Sequence, residues 1–446
     1  MKFSQQILLS LLLLLGLSTT LQAQQSSSHG RSVILITIDG LRPDMISDPL
    51  QPTPFLKQMV REGQFVPHIQ GIPPSMTYPS HTTIITGVPP REHGIHCNRQ
   101  FQYNRDEPLL YNLWADSIKA PTLWQQIHEA GLKTASILWP VSTGSRYIDY
   151  NVPEYFPTPD EHWQGGAMDY IRPVCTPAGL LEELEREATG RLTDTTMRSA
   201  SFEYDAKVAY MTNYLVNTYH PSFISVHLIT TDYAQHATGT QSDWTLQAVA
   251  SADNAVGLIV ENLRYQHLLD STTIIVTGDH GFVNAKWRLR PNALLVEAGL
   301  LSAQKGGEWQ ACFHSLGAAS YLYLNPTLKA KERQRCLKQI TQLLEQQPYT
   351  VRCQYHLLKQ PEITSLGGDP EAALCIDPIA GTACANDRTG DFLSPRTGGY
   401  HGYVNGCDPT CLVLYGAANK DIQLPQESMK QTAIAPMIRQ WILHLP

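Results

Sequence analysis

Val33-Ile34-Leu35-Ile36-Thr37-Ile38-Asp39-Gly40 is the stretch on which the fold turns. Most of its first six residues are β-branched and no charge interrupts them, the pattern of a strand buried on both faces, as a parallel sheet covered by helices requires. Apolar runs at 134–139, 223–229, 272–277 and 411–415 read the same way. Between them lie helical patterns at 53–62, 121–130, 202–218, 244–263 and 328–346, the second with Pro121 at its start and Gly131 past its end. Strand and helix in alternation predict parallel βαβ units. The expected fold is therefore α/β, a doubly wound, mainly parallel sheet with helices on both faces.

In such sheets ligands gather beyond the carboxyl ends of the strands. Asp39 closes the first run, Thr231-Asp232 follow the third and Gly278-Asp279-His280-Gly281 follow the fourth. His236 stands four residues after Asp232, on the same face of a helical turn. Tyr400-His401-Gly402 adds a further histidine, and Met76-Thr77-Tyr78-Pro79-Ser80-His81 adds a threonine. Asp and His suit a hard-to-borderline divalent ion, and a threonine hydroxyl becomes a nucleophile at neutral pH only when a base or metal lowers its pKa. The set points to a two-metal hydrolase with a threonine nucleophile. His81, His93 and His96 read as hydrogen-bonding scaffold. The stretches 98–112 and 147–167, rich in Tyr, Pro, Asp and Trp without period, read as loops over the site, and 285–399 as a smaller inserted cap rather than sheet.

Residues 1–23 read as a secretory signal: Lys2, an apolar run from Ile7 to Leu17, and the small Ala23 before the cut. That run is too short to span a bilayer comfortably, so the remainder, 24–446, is expected to be exported, periplasmic or secreted, without a stable membrane span. A 42% hydrophobic content is that of an ordinary globular protein. A net charge of -7, from 33 Lys+Arg against 40 Asp+Glu, carries no footprint for nucleic-acid polymers, while a small anionic substrate can still be held by metals. After export the 9 Cys meet an oxidising compartment, and Cys375/Cys384 and Cys407/Cys411 are close enough in sequence to close small disulfide loops.

Read in order, Ile38-Asp-Gly-Leu-Arg42, Thr77-Tyr-Pro-Ser-His81 with Thr86-Gly87 and His93-Gly-Ile95, Trp139-Pro140, Asp232 with His236, Asp279-His-Gly281 and His401-Gly-Tyr403 resemble the nucleotide pyrophosphatase/phosphodiesterase family of the alkaline phosphatase superfamily. The resemblance implies an alkaline phosphatase-like catalytic domain with two zinc ions, manganese or iron being possible replacements. It implies that Asp232, His236 and His401 hold one ion, and Asp39, Asp279, His280 and the Thr77 oxygen the other. Thr77 is then the nucleophile and Asn98 a donor to a phosphoryl oxygen, while Tyr78 and Tyr150 stack on the base of a nucleotide. The implied reaction is hydrolysis of a phosphodiester or pyrophosphate bond in a small nucleotide-type substrate. Alternatives on the same scaffold are a phosphomonoesterase, which in related enzymes adds a Lys-x-Arg pair where this chain reads Leu138-Trp139-Pro140-Val141, a lipid or phosphocholine phosphodiesterase, and an inactive binding protein. Ser80 stands where the family usually has Asn and Gln235 where it has Gly, changes that spare every implied metal ligand.

Overall fold

The computed structural model describes residues 31–103, 110–156 and 167–444, so the expected signal segment lies outside the described residues. The first run forms β1 (Ser32–Ile38) at the heart of an eight-stranded sheet. Its partners are β2 (Gln64–Gln70), β3 (Thr134–Ile137), β4 (Tyr150–Val152), β5 (Phe223–Leu228), β6 (Thr272–Thr277), β16 (Thr410–Gly416) and β17 (Ser428–Lys430), in the order β17-β2-β16-β6-β1-β5-β3-β4. The block β6-β1-β5-β3-β4 is parallel throughout. β16 departs from that expectation: it runs antiparallel to both β6 and β2. The chain reaches it from the loop at the carboxyl end of β6, where the Gly281 N–H bonds Asp408 O at 3.1 Å, so it can only run back down the sheet.

Successive side chains of the central strands feed two cores. Ile34, Ile36 and Ile38 pack with Ile224, Val226, Ile274 and Val276 under helices that supply Val208, Leu215, Val256 and Ile259. Val33, Leu35, Phe223 and Ile275 face the other way, onto Trp124, Ile84, Ile438 and Trp441. The five expected helices form as α1 (Pro54–Glu62), α3 (Leu123–Glu129), α4 (Glu203–Tyr219), α6 (Asp243–Tyr265) and α7 (Ala330–Glu345). Two start on side-chain caps, Thr122 accepting the Gln125 N–H and Ser242 the Thr245 N–H, both at 3.1 Å. The helices α2 (Thr77–Thr86), α5 (Thr230–Thr238) and α8 (Ile434–Ile442) complete the frame.

Residues 285–399 carry more strand than their sequence suggests. β9 (Ala311–Leu316), β10 (Ala319–Leu324), β11 (Tyr355–Lys359) and β12 (Leu374–Pro378) form an antiparallel sheet ordered β11-β12-β10-β9, with Ile340 and Leu344 of α7 buried beside it. β8 (Trp287–Leu289), β13 (Thr382–Cys384) and β14 (Leu393–Pro395) make a three-stranded sheet, and β7 (Val283–Asn284) pairs with β15 (Gly399–Tyr400). The proposed cysteine loops do not close: Cys375, Cys384, Cys407 and Cys411 are free thiols. Cys411 points into the core of the large sheet while Cys407 sits in the loop before it, and Cys375 and Cys384 belong to different apolar clusters.

Candidate active site

Because β6, β1 and β5 are parallel neighbours, the loops after them open side by side and bring Asp279-His280, Asp39 and Asp232 together. Asp39 is held by its N–H on Leu228 O at 2.8 Å. Asp279 Oδ1 accepts the N–H groups of Gly40 at 3.1 Å and His280 at 3.0 Å, tying the first loop to the third. Gly278 and Gly281 serve close approach rather than a sharp turn: a Cβ at either would lie 2.1 Å from Thr410 Oγ1 or Pro409 O.

Two groups of ligand atoms converge, Asp39, Asp279 and His280 in one, Asp232, His280 and His401 in the other, each with its atoms within 4.8 Å. His280 Nε2 lies 3.3 Å from Asp39 Oδ1 and 3.2 Å from Asp279 Oδ2. His236 and His401 approach Asp232 Oδ1 at 3.4 and 3.6 Å. The rings of His280 and His401 stack at 3.5 Å, joining the groups into one cluster. Thr77, at the first position of α2 and 8% exposed, puts its hydroxyl 3.4 Å from His280 Nε2.

Each of the three histidines turns Nδ1 to a main-chain carbonyl: His280 to Gly281 O at 3.2 Å, His236 to Gly399 O at 3.0 Å, His401 to Ser75 O at 2.9 Å. A carbonyl can only accept, so Nδ1 carries the proton and each Nε2 presents a lone pair to the cluster. There the lone pairs meet carboxylate oxygens that are also acceptors: Asp39 Oδ1, Asp232 Oδ1 and Asp279 Oδ2 are buried without a hydrogen-bond partner. Burial, then the charges of Asp279 and Asp232, holds the Asp39 carboxyl well above its ordinary range, and burial lifts Asp279 to about 7. Burial likewise keeps His280 well below its ordinary value and His401 at about 3. Acceptors facing acceptors in a dry site are what divalent cations resolve, so the donor set fits metals.

Two further buried histidines back the cluster. His81 donates from Nδ1 to Thr77 O at 2.8 Å while Thr37 Oγ1 faces its Nε2 at 2.8 Å, and His227 Nε2 lies 3.3 Å from Asp39 Oδ2. His81 is thus scaffold, as its sequence context suggested, and so is His93, which takes the Ile95 N–H and bonds Thr83. Asn98 Oδ1 accepts the N–H of Tyr78 at 2.9 Å, which fixes its amide beside Thr77. Of the two expected stacking rings, one is buried beside Thr77 and the other stands at the start of its strand. Tyr78 is 2% exposed and packed into the core, and Tyr150 opens β4, in the amino-terminal half of the strand, stacked on Tyr219 at 4.0 Å. Phe156, open to solvent, lies 4.8 Å from Tyr111, which in turn lies 5.5 Å from Tyr78. Beside them Glu154 keeps Oε2 buried and unpartnered, and burial raises its carboxyl to about 7. Glu154 and Phe156 fall in a stretch expected to cover the site, and no spacing singled them out.

Comparisons with known proteins show the fold and the family. Ectonucleotide pyrophosphatase/phosphodiesterase family member 3 of Mus musculus is 26% identical over 257 residues, 56% of this chain and 24% of that protein. Bis(5'-adenosyl)-triphosphatase ENPP4 of Homo sapiens is 23% identical over 287 residues, 61% of this chain and 52% of that protein. The chain thus spans about a quarter to a half of the length of these relatives. Two solved structures share the fold, each with a TM-score of 0.64 at 17% identity over 93% of this chain: human ectonucleotide pyrophosphatase/phosphodiesterase 5, 95% covered, and phosphonoacetate hydrolase from Sinorhizobium meliloti 1021, 96% covered. The family described as type I phosphodiesterase / nucleotide pyrophosphatase matches residues 33–403, which take in β1 to β15 but not β16, β17 or α8, and the chain belongs to it.

Proposed function

We propose that the chain is a metal-dependent hydrolase of phosphodiester or pyrophosphate bonds that works through a phospho-threonine intermediate on Thr77. The observation that carries this reading is the convergence of two buried carboxylates, the half-buried Asp232 and three imidazole Nε2 atoms beside a threonine hydroxyl at a helix N-terminus. Asp39, Asp279, His280 and the Thr77 oxygen would hold one ion, and Asp232, His236 and His401 the other. Zinc suits these donors, and manganese or iron can take them. Bound ions supply Lewis acidity, lowering the pKa of a hydroxyl and neutralising charge on a departing oxygen.

Thr77 Oγ1 forms the new bond to phosphorus as the bond to the leaving oxygen breaks on the opposite side; water then attacks phosphorus and returns the threonine hydroxyl. The positive end of α2 faces the phosphoryl group, and Asn98, its oxygen anchored on the Tyr78 N–H, has its amide hydrogens for a non-bridging oxygen. Tyr111 and Phe156, backed by Tyr78, offer an aromatic surface to the esterified group, and the names of the relatives favour a nucleoside there. Among the described residues no Lys or Arg bonds to Thr77, Asn98, Asp39, Asp232 or Asp279, so the extra charge of a monoester finds no partner. Zinc-loaded protein should therefore hydrolyse a nucleoside nitrophenyl diester with a kcat/KM at least about tenfold above nitrophenyl phosphate, a gap of about 1.4 kcal/mol. A panel adding nucleoside triphosphates, dinucleotides and phosphocholine esters tests the class, and a monoester preference would overturn it.

A further inference from the structure

The support of His401 can be followed two steps back into the interior. Its Nδ1 donates to Ser75 O at 2.9 Å, and the Ser75 hydroxyl in turn donates to Asp408 Oδ2. The N–H of Gly402, next in the chain after His401, reaches Asp408 Oδ2 and Ser75 Oγ, each at 3.1 Å. His401, Ser75, Asp408 and Gly402 thus close a ring of contacts in which the imidazole is held through its acceptor and through the peptide that follows it. An ionised carboxylate only accepts, so Asp408 sets the direction of both the Ser75 O–H and the Gly402 N–H. All four residues are buried, Asp408 at 4% exposure.

Among the described residues the Asp408 side chain meets no Lys, Arg or His in an ion pair, and its Oδ1 is buried without a hydrogen-bond partner. A buried carboxylate so placed is costly, and the hydrogen bonds it does accept go to the supports of one histidine of the cluster. A carboxylate behind a ligating histidine fixes the ring and raises its basicity; here Ser75 carries that contact one residue further. The main chain of the same residue serves the other half. Asp408 O takes the Gly281 N–H at 3.1 Å, next to His280, whose ring stacks on His401 at 3.5 Å. A change of side chain therefore leaves the His280 loop its bond and reaches His401 alone. Thr77, two residues after Ser75, has its own anchor in His81.

We propose that Asp408 is a positioning residue: acting through Ser75 and Gly402, it holds the His401 imidazole at the angle from which Nε2 can ligate, and so sets how tightly Asp232, His236 and His401 bind their ion without touching ion or substrate. This rests on the metal-dependent reading given above. Its signature is asymmetry, since loss of the Asp408 carboxylate weakens one of the two ions and spares the one at Asp39, Asp279 and His280.

The test measures both zinc affinities by competition with a chromophoric chelator, with melting curves in the presence and absence of zinc. The proteins are wild type, Asp408→Ala, Asp408→Asn, Ser75→Ala, Ser75→Thr, His401→Ala and the double variant Asp408→Ala with His401→Ala. Asp408→Ala should weaken one zinc by at least about tenfold and leave the other within about threefold of wild type. Ser75→Ala should act in the same direction, while Asp408→Asn, which keeps an acceptor, and Ser75→Thr, which keeps the hydroxyl, should each recover part of the loss. Once His401 is gone, Asp408→Ala should change the affinity of the remaining ion no further. Equal weakening of both ions, no change in either, or a further loss in the double variant would overturn the positioning role and leave the metal-dependent reading standing. If Asp408→Ala fails to fold, the Ser75 pair decides, and unchanged affinities in Ser75→Ala would overturn the role. Wild type that binds no zinc would remove the metal-dependent reading itself, and the role with it.

Discussion

Thr77 owes its fixed position to buried polar neighbours. Its carbonyl is pinned by His81 Nδ1, whose other nitrogen faces the Thr37 hydroxyl, so the first turn of α2 is fixed to β1 by a chain of buried polar contacts. Thr77→Ala removes only the hydroxyl and methyl from a position with few partners of its own. It should lower turnover by about a thousandfold or more while the melting temperature stays close to wild type, and Thr77→Ser should keep measurable activity. Near-normal hydrolysis by Thr77→Ala would end the covalent mechanism. The neighbouring residue shows the limit of reading side chains by position alone. Tyr78 follows Thr77 directly, but a residue one step further along a helix turns about a quarter-circle away, and here that direction is the apolar core.

At the scale of elements, α1 depends on a carboxylate from another helix. Its first N–H groups are taken by Asp253 of α6, Phe55 at 3.1 Å and Leu56 at 2.8 Å, and burial raises that carboxyl to about 6 despite both donors. The folded state therefore holds the proton more tightly than the unfolded chain, whose value is about 3.9, so this group's contribution to stability is full below that pH and is lost as pH rises through 6. Asp253→Asn does not titrate. Its stability deficit relative to wild type in chemical denaturation should shrink by about 1.4 kcal/mol between pH 5 and 8, and a gap that widens instead would refute the assignment. Such a cap could not be read from the chain, since its two parts are 197 residues apart. The five apolar strands were legible because β-branched and other apolar residues dominate them and no Pro, Gly, Asp, Glu, Lys or Arg breaks them. β2 was not: Pro67 has no N–H to give, and the pairing with β16 slips between Val66 and Ile69, where it stands. The hairpin of β9 and β10 was hidden by Cys312, His314, Ser315 and Ser320 among its apolar positions.

For the whole molecule, the cluster is a source of strain until it is filled, because its carboxylates repel one another in a dry interior. Metal binding should therefore stabilise the fold as well as enable chemistry. Elemental analysis should find close to two zinc per chain, and a chelator should remove activity and lower the melting temperature by at least about 5 °C, reversed by added zinc. Metal-free protein with unchanged activity and melting would refute the site. The bond between His401 and Ser75 O spans 326 residues, and Gly40 meets Asp279 across 239. No segment emerging from a ribosome before residue 279 contains a complete half of the cluster, and the other half waits for residue 401. Until residue 280 the nascent chain offers only isolated ligands or the Asp232–His236 pair, so neither half of the cluster can close before β1, β5 and β6 have come together in the sheet.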